Sequence, residues 1–185
     1  MQHQQHAMKM SWGRFAGMIA ASTVIMFFLM YQLVYSWDHT MFSVNRLIAS
    51  LLMGCVMTAV MIVFMWSMYD GRGTKLAVLV IAITGALLLL FVNRSQAIVR
   101  DTTFMRSMIP HHSIAINNAR KATIKDVRVR RLADRIIQAQ MKEITEMKLL
   151  IDDIDRNGVH GQSRLAPVAA AVPPRMDTEI REAVQ

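Results

Sequence analysis

Apolar and polar positions divide this chain near residue 93. Ahead of it lie three long apolar runs, Phe15 to Ser36, Leu47 to Met68 and Leu76 to Val92, none containing Asp, Glu, Lys, Arg or His. Each approaches the roughly 20 apolar residues a helix needs to cross a hydrocarbon core of about 30 Å. The first run is too long for a cleavable signal peptide, and no small-residue cleavage pattern follows it. The pattern predicts three transmembrane helices over 15–92, preceded by a polar tail at 1–14. Beyond residue 93 the apolar positions take helical spacing. Asp101-Thr102-Thr103 reads as a helix start, with a carboxylate placed to cap free N–H groups. Phe104, Met105, Met108, Ile109, Ala115, Ile116 and Ala119 follow at helical intervals. Pro110 removes a donor and crowds the carbonyl of Arg106, which predicts a kink or a break and restart there. A second helix is expected from about Asp126 to Ile154, with Leu132, Ile136, Ile137, Ile144, Met147, Ile151 and Ile154 as its apolar line. Asn157-Gly158 is a helix stop, and residues 157–185 read as a flexible tail. The predicted fold is all-α: three membrane spans, then an antiparallel helical hairpin over 93–156.

Composition agrees with a membrane protein, since 54% of the 185 residues are hydrophobic and the excess lies in the first half. Lys and Arg near the span ends number four on each side, so the positive-inside rule does not decide the orientation. Lys9 and Arg14 before the first span favour an inside N-terminus, which would put the C-terminal half outside the cytoplasm, periplasmic in a bacterium. Proton relays and ion pathways keep ionisable residues within the bilayer, so charge-free spans argue against a pump or secondary transporter. Cys55 stands alone mid-span and is expected to pack as a small apolar residue. From residue 93 onward 16 basic residues oppose 11 acidic ones, and Arg128, Arg131 and Arg135 share a helix face. That face suits solvent or anionic lipid headgroups. No interleaved aromatics or recognised motif accompany it, so no nucleic-acid partner is expected.

The segment Phe104-Met105-Arg106-Ser107-Met108-Ile109-Pro110-His111-His112 holds the candidate chemistry. Thioether sulfur selects Cu(I), and imidazole accepts copper in either oxidation state. With Met105 at zero, His112, Met108 and His111 fall near about 340°, 300° and 240°, an arc of roughly 120°. In an antiparallel hairpin turning near residues 124–125, facing residues have numbers summing to about 249. Met108 then meets the region of Met141, Met105 meets Ile144, and His112 meets Ile137. Gln140, Glu143 and Met147 occupy a narrow arc of about 60° on the second helix.

These residues resemble the domain-of-unknown-function 305 family. The resemblance lies in Asp101, in Phe104 through Ser113 with Ala115, and in Ile136-Ile137, Gln140, Glu143-Ile144 and Met147, covering roughly residues 96–155. The Met-rich second span, ending in Met65-Trp66-Ser67-Met68-Tyr69, and Arg94-Ser95-Gln96 are similar to a membrane-anchored variant. The resemblance implies half of a ferritin-like four-helix bundle. It also implies non-catalytic binding of Cu(I), with Ag(I) as a second soft ion, in copper tolerance or handling. Met105, Met108, His111, His112 and Met147 are the implied ligands, with Gln140 and Glu143 as orienting groups. This chain departs from family members that carry further Met or Cys after the histidines, having Asn117, Asn118 and Ala119 there. A single hairpin cannot bury a core alone, so a homodimer is expected.

Other features have plainer accounts. Met53, Met57, Met61 and Met65 recur every four residues, a packing stripe before it is a track for a soft cation. Asp38, His39 and Met41 read as an interfacial turn, and the His-containing stretch 1–10 as a disordered tail. No Glu-x-x-His pair occurs, against a di-iron oxidase, and no Ser/His/Asp or Cys/His arrangement is visible. The competing function is a membrane-anchored interaction module whose histidine pair is structural.

Overall fold

The computed structural model describes residues 10–161 and 163–184. Among these residues there is no strand. Six α-helices follow in order: α1 (Trp12–Leu29), α2 (Val44–Phe64), α3 (Arg72–Ser95), α4 (Asp101–Lys121), α5 (Val127–Asn157) and α6 (Pro174–Val184). The chain separates into two compact units. One comprises Met1–Gln32 with Met41–Ser107, the other Leu33–Thr40 with Met108–Gln185, so the boundary falls inside α4.

In the first unit α1, α2 and α3 are long and apolar enough to cross a membrane. At 18, 21 and 24 residues they measure about 27, 32 and 36 Å. Most of their side chains face outward, as expected where lipid is the solvent. Small residues let the helices approach. A Cβ at Gly54 would collide with Thr23 Oγ1 of α1, and one at Gly85 would lie 3.3 Å from Cys55 Sγ of α2. An aromatic cluster closes one end of the unit, with Phe15 against Tyr69 at 5.2 Å and Trp12 against Tyr69 at 4.9 Å between centroids. Met10, Met18, Met61 and Met65 pack round it.

The ends of the helices differ from expectation in instructive ways. The first span stops at Leu29, not Ser36. Arg46 donates to the carbonyl of Met30, placing a cation at the helix C-terminus. The Tyr31 hydroxyl donates to the Met41 carbonyl (3.0 Å) and accepts from the Ser43 amide (3.0 Å), fixing the turn. At the other end helix begins at Trp12, inside the stretch expected as a tail. His3 and His6 lie outside the described residues. At the start of α4 the polar group that engages free backbone is Thr103. Its hydroxyl accepts from the Arg100 amide (2.7 Å) and donates to the Arg100 carbonyl (2.9 Å).

Pro110 neither breaks nor restarts the helix: α4 runs unbroken from Asp101 to Lys121 with the proline inside. A proline in a helix interior costs about 3 kcal/mol, but Ile109 and Ile116 on the same helix are fully buried. Each contributes about 1.5–3 kcal/mol, so burial offsets the missing hydrogen bond. In the second unit Asp126 caps α5 by accepting from the Arg128 amide (2.8 Å). Arg128 also holds the Asp126 carboxyl well below the usual carboxylate range. The helix ends at Gly158, whose φ of 82° suits glycine. The region expected as a flexible tail contains α6. Met176, Ile180 and Ala183 from α6 line a groove with Val129 and Leu132 of α5, and Asp177 pairs with Arg181 (2.9 Å) one turn on.

Candidate metal centre

At ideal helical spacing Met105, Met108, His111 and His112 share one side of α4, which runs unbroken past Pro110. Burial grades across that side. Met105 is buried, Met108 and His112 are half-buried, and His111 is exposed. The rings of His111 and His112 stand 5.9 Å apart, inclined at 65°. The fully buried face is turned further round and is formed by Ile109, Ser113 and Ile116. Met105 falls in the first unit; Met108, His111, His112 and Met147 fall in the second.

The best-defined polar group of the second unit joins α4 to α5. His112 Nε2 lies 2.7 Å from Glu143 Oε2, and Gln140 Nε2 donates to the same carboxylate oxygen at 3.4 Å. His112 Nδ1 is 2.9 Å from the Met108 carbonyl, which only accepts, so Nδ1 carries a proton. Both ring nitrogens thus face oxygen. Glu143 meets the histidine directly and Gln140 reaches it only through Glu143, so His112 meets Glu143 and not the region of Ile137. The shift follows from side-chain direction. Helical side chains lean toward their own N-terminus, and the His112 bond to a carbonyl one turn back displays that lean. Glu143 leans toward the hairpin turn, so the two tips meet although their Cα atoms are out of register. Met147 lies one turn beyond Glu143 and is half-buried.

Among the described residues no three or more His, Cys, Asp or Glu side chains gather as a metal-holding group.

A second polar cluster in this unit was not legible in the sequence. Ser113, fully buried, accepts from the Tyr35 amide (2.8 Å) and lies 3.0 Å from His39 Nδ1. Asp38 pairs with Lys148 at 2.5 Å, and Arg120 donates to the Tyr35 hydroxyl. Residues 33–40 thereby form a strap held by α4 and α5. Hydrogen bonds from Lys148 and then Ser36 lower the Asp38 carboxyl to about 2. Burial pushes the His39 imidazole below its ordinary value, with Lys148 assisting and Asp38 opposing. Asp38 and His39 form a 3-10 turn whose side chains already have protein partners.

The chain is an all-helical protein with three helices long and apolar enough for a membrane, followed by a helical C-terminal region. Residues 100–182 match the family described as Domain of unknown function (DUF305). The match runs past residue 155 and takes in most of α6. An uncharacterised protein of Acanthamoeba polyphaga mimivirus is 38% identical over 77 residues, 40% of this chain and 51% of the relative. The chain thus spans about half the length of that relative. No solved structure matches.

Proposed function

We propose that this is a membrane-anchored binding protein for soft metal ions, Cu(I) first and Ag(I) second, acting without turnover in copper tolerance or handling. Its C-terminal region would stand outside the cytoplasm. The observation that carries the reading is the posture of His112. Its Nδ1 is committed to the Met108 carbonyl, so a metal would have to take Nε2 in place of that nitrogen's contact with Glu143. Nε2 points at a carboxylate held by Gln140. A cation at Nε2 would replace a proton there, and Glu143 beside it would balance the charge. Met108, His111, Met147 and, on the same helix side, Met105 are the remaining donors. Thioethers among them select a soft ion over zinc or iron.

The same short His112–Glu143 contact also suits a purely structural histidine within an interaction module. One experiment separates the readings. The intact protein in detergent is titrated with Cu(I) against a competing chelator under reducing conditions, beside Met108→Leu and His112→Ala. Each variant is expected to weaken binding by about tenfold or more. Leucine keeps the volume and removes the sulfur, so its effect reports ligation. A parent protein that does not compete for Cu(I) or Ag(I) supports the structural histidine, and unaltered affinity in both variants discards this donor set.

A further inference from the structure

Helix α5 carries its charge in the order its own dipole disfavours. From Val127 to Lys142 five basic residues stand against one acidic, and from Glu143 to Asn157 five acidic against two basic. A macrodipole favours the reverse, acids near the N-terminus and bases near the C-terminus. Contacts within the chain account for several of these groups: Arg130 pairs with Asp134, Arg156 with Asp152, Lys148 with Asp38 and Glu143 with His112. One face remains, on which, among the described residues, Asp153 has only the nearby Asn157 side-chain amide (2.7 Å) and the exposed His160 (3.9 Å) as partners. With Arg135 at zero, Asp153 lies at about 0°, Glu146 near 20°, Ala139 near 40°, Lys142 near 340° and Leu149 near 320°. Arg135, Lys142 and Glu146 have no ion-pair partner among the described residues. Between Arg135 and Asp153 the face is open and carries exposed apolar side chains beside Lys142 and Glu146: Leu149 is 66% exposed and Leu150 45%. A groove runs along it, lined by Lys142, Glu146, Leu149, Leu150 and Asp153.

We infer that this face is covered by the same face of a second copy, with the two α5 helices antiparallel about a two-fold axis near residue 144. The choice of occupant rests on charge. A helix basic in its first half and acidic in its second is complementary to itself only when antiparallel. The axis sets Lys142 against Glu146 of the second copy and Arg135 against Asp153 of the second copy, each pair occurring twice. It also sets small Ala139 against large Leu149. The overlap from Arg135 to Asp153 is about 27 Å long. This inference does not rest on metal binding.

The test is the monomer–dimer dissociation constant of the intact protein in detergent, by sedimentation or single-molecule photobleaching. Arg135→Asp and Asp153→Arg each set like charges opposite one another and are expected to weaken the dimer about tenfold or more. The double swap restores opposite charges and should return within about threefold of the parent. Residues 135 and 153 are about 27 Å apart along one helix, so rescue can only act between copies. Arg135 also lines the groove beside α6; Leu149→Glu, on an already exposed side chain, should weaken the dimer with helix content unchanged. A parent that stays monomeric over the whole concentration range overturns the inference and leaves the face to a different partner. A dimer indifferent to all the variants overturns it too, and weakened single variants without rescue overturn the register.

Discussion

Ser113 follows the histidine pair directly, yet its hydroxyl serves the strap, taking the Tyr35 amide and facing His39. The histidine expected to sit in an interfacial turn is 4% exposed, and burial holds its imidazole below the ordinary value. The sign of the pH effect follows. A base whose folded pKa is depressed takes up its proton more readily in the unfolded chain, so the stability it lends is present above about pH 6.5 and falls as pH drops below that. Asp38 acts in a lower window. Its carboxyl is lowered to about 2, so its contribution is lost only as pH falls from about 4. Acidification from pH 7 to pH 5 should therefore loosen the strap through His39 while Asp38 and Lys148 remain paired. The measurement is hydrogen exchange at the Tyr35 amide, corrected for the intrinsic pH effect. Protection should fall toward pH 5 in the parent and become pH-independent in His39→Gln. Equal protection at both pH values in the parent would remove His39 from this role.

Among the elements, the three apolar helices were legible because their charge-free runs are long enough to cross a hydrocarbon core, and the structure shifts mainly their ends. The arrest of α1 at Leu29 was not legible, since it depends on Arg46 and Tyr31 finding backbone partners from a different element. Pro110 misled for the opposite reason: a local rule gave the cost of the proline, and the tertiary burial of Ile109 and Ile116 exceeded it. Substituting Ile109→Ala or Ile116→Ala should accordingly destabilise the C-terminal region by about 2–5 kcal/mol, read by denaturant unfolding of the intact protein. A cost below about 1 kcal/mol would leave the continuity of α4 without this explanation. In the first unit the glycine at 54 is required by Thr23, whose branched side chain is stiff and whose hydroxyl donates to the Ile19 carbonyl (2.8 Å). Gly54→Leu should lower thermal stability in detergent, and Thr23→Ala in the same chain should recover much of the loss. Absence of rescue would place the damage elsewhere than at the α1–α2 contact.

For the whole molecule, what the sequence concealed is discontinuity. Periodicity reads neighbours along the chain, so it found α4 and α5 and placed Gln140, Glu143 and His112 at one level. It could not find residues 33–40, which belong to the second unit although α2 and α3 separate them from it in the sequence. It also passed over α6, whose eleven residues follow an Ala/Val/Pro-rich stretch without pattern. A unit assembled from two separated segments is incomplete when cut from the chain. A fragment of residues 100–184 keeps the candidate donors of α4 and α5 but loses the partners of Ser113, Arg120 and Lys148 supplied by Tyr35, His39 and Asp38. Leaving Ser113 without its partners costs about 1–3 kcal/mol, a large share of the margin for a domain of this size. Amides around Ser113 and Ile116 should therefore exchange at least about tenfold faster in the fragment than in the intact protein. A synthetic peptide spanning residues 33–40, added in trans, should restore part of that protection. Should the fragment protect these amides as well as the intact chain does, the strap is ornamental to the second unit, and metal titrations on the fragment would be as informative as those on the whole protein.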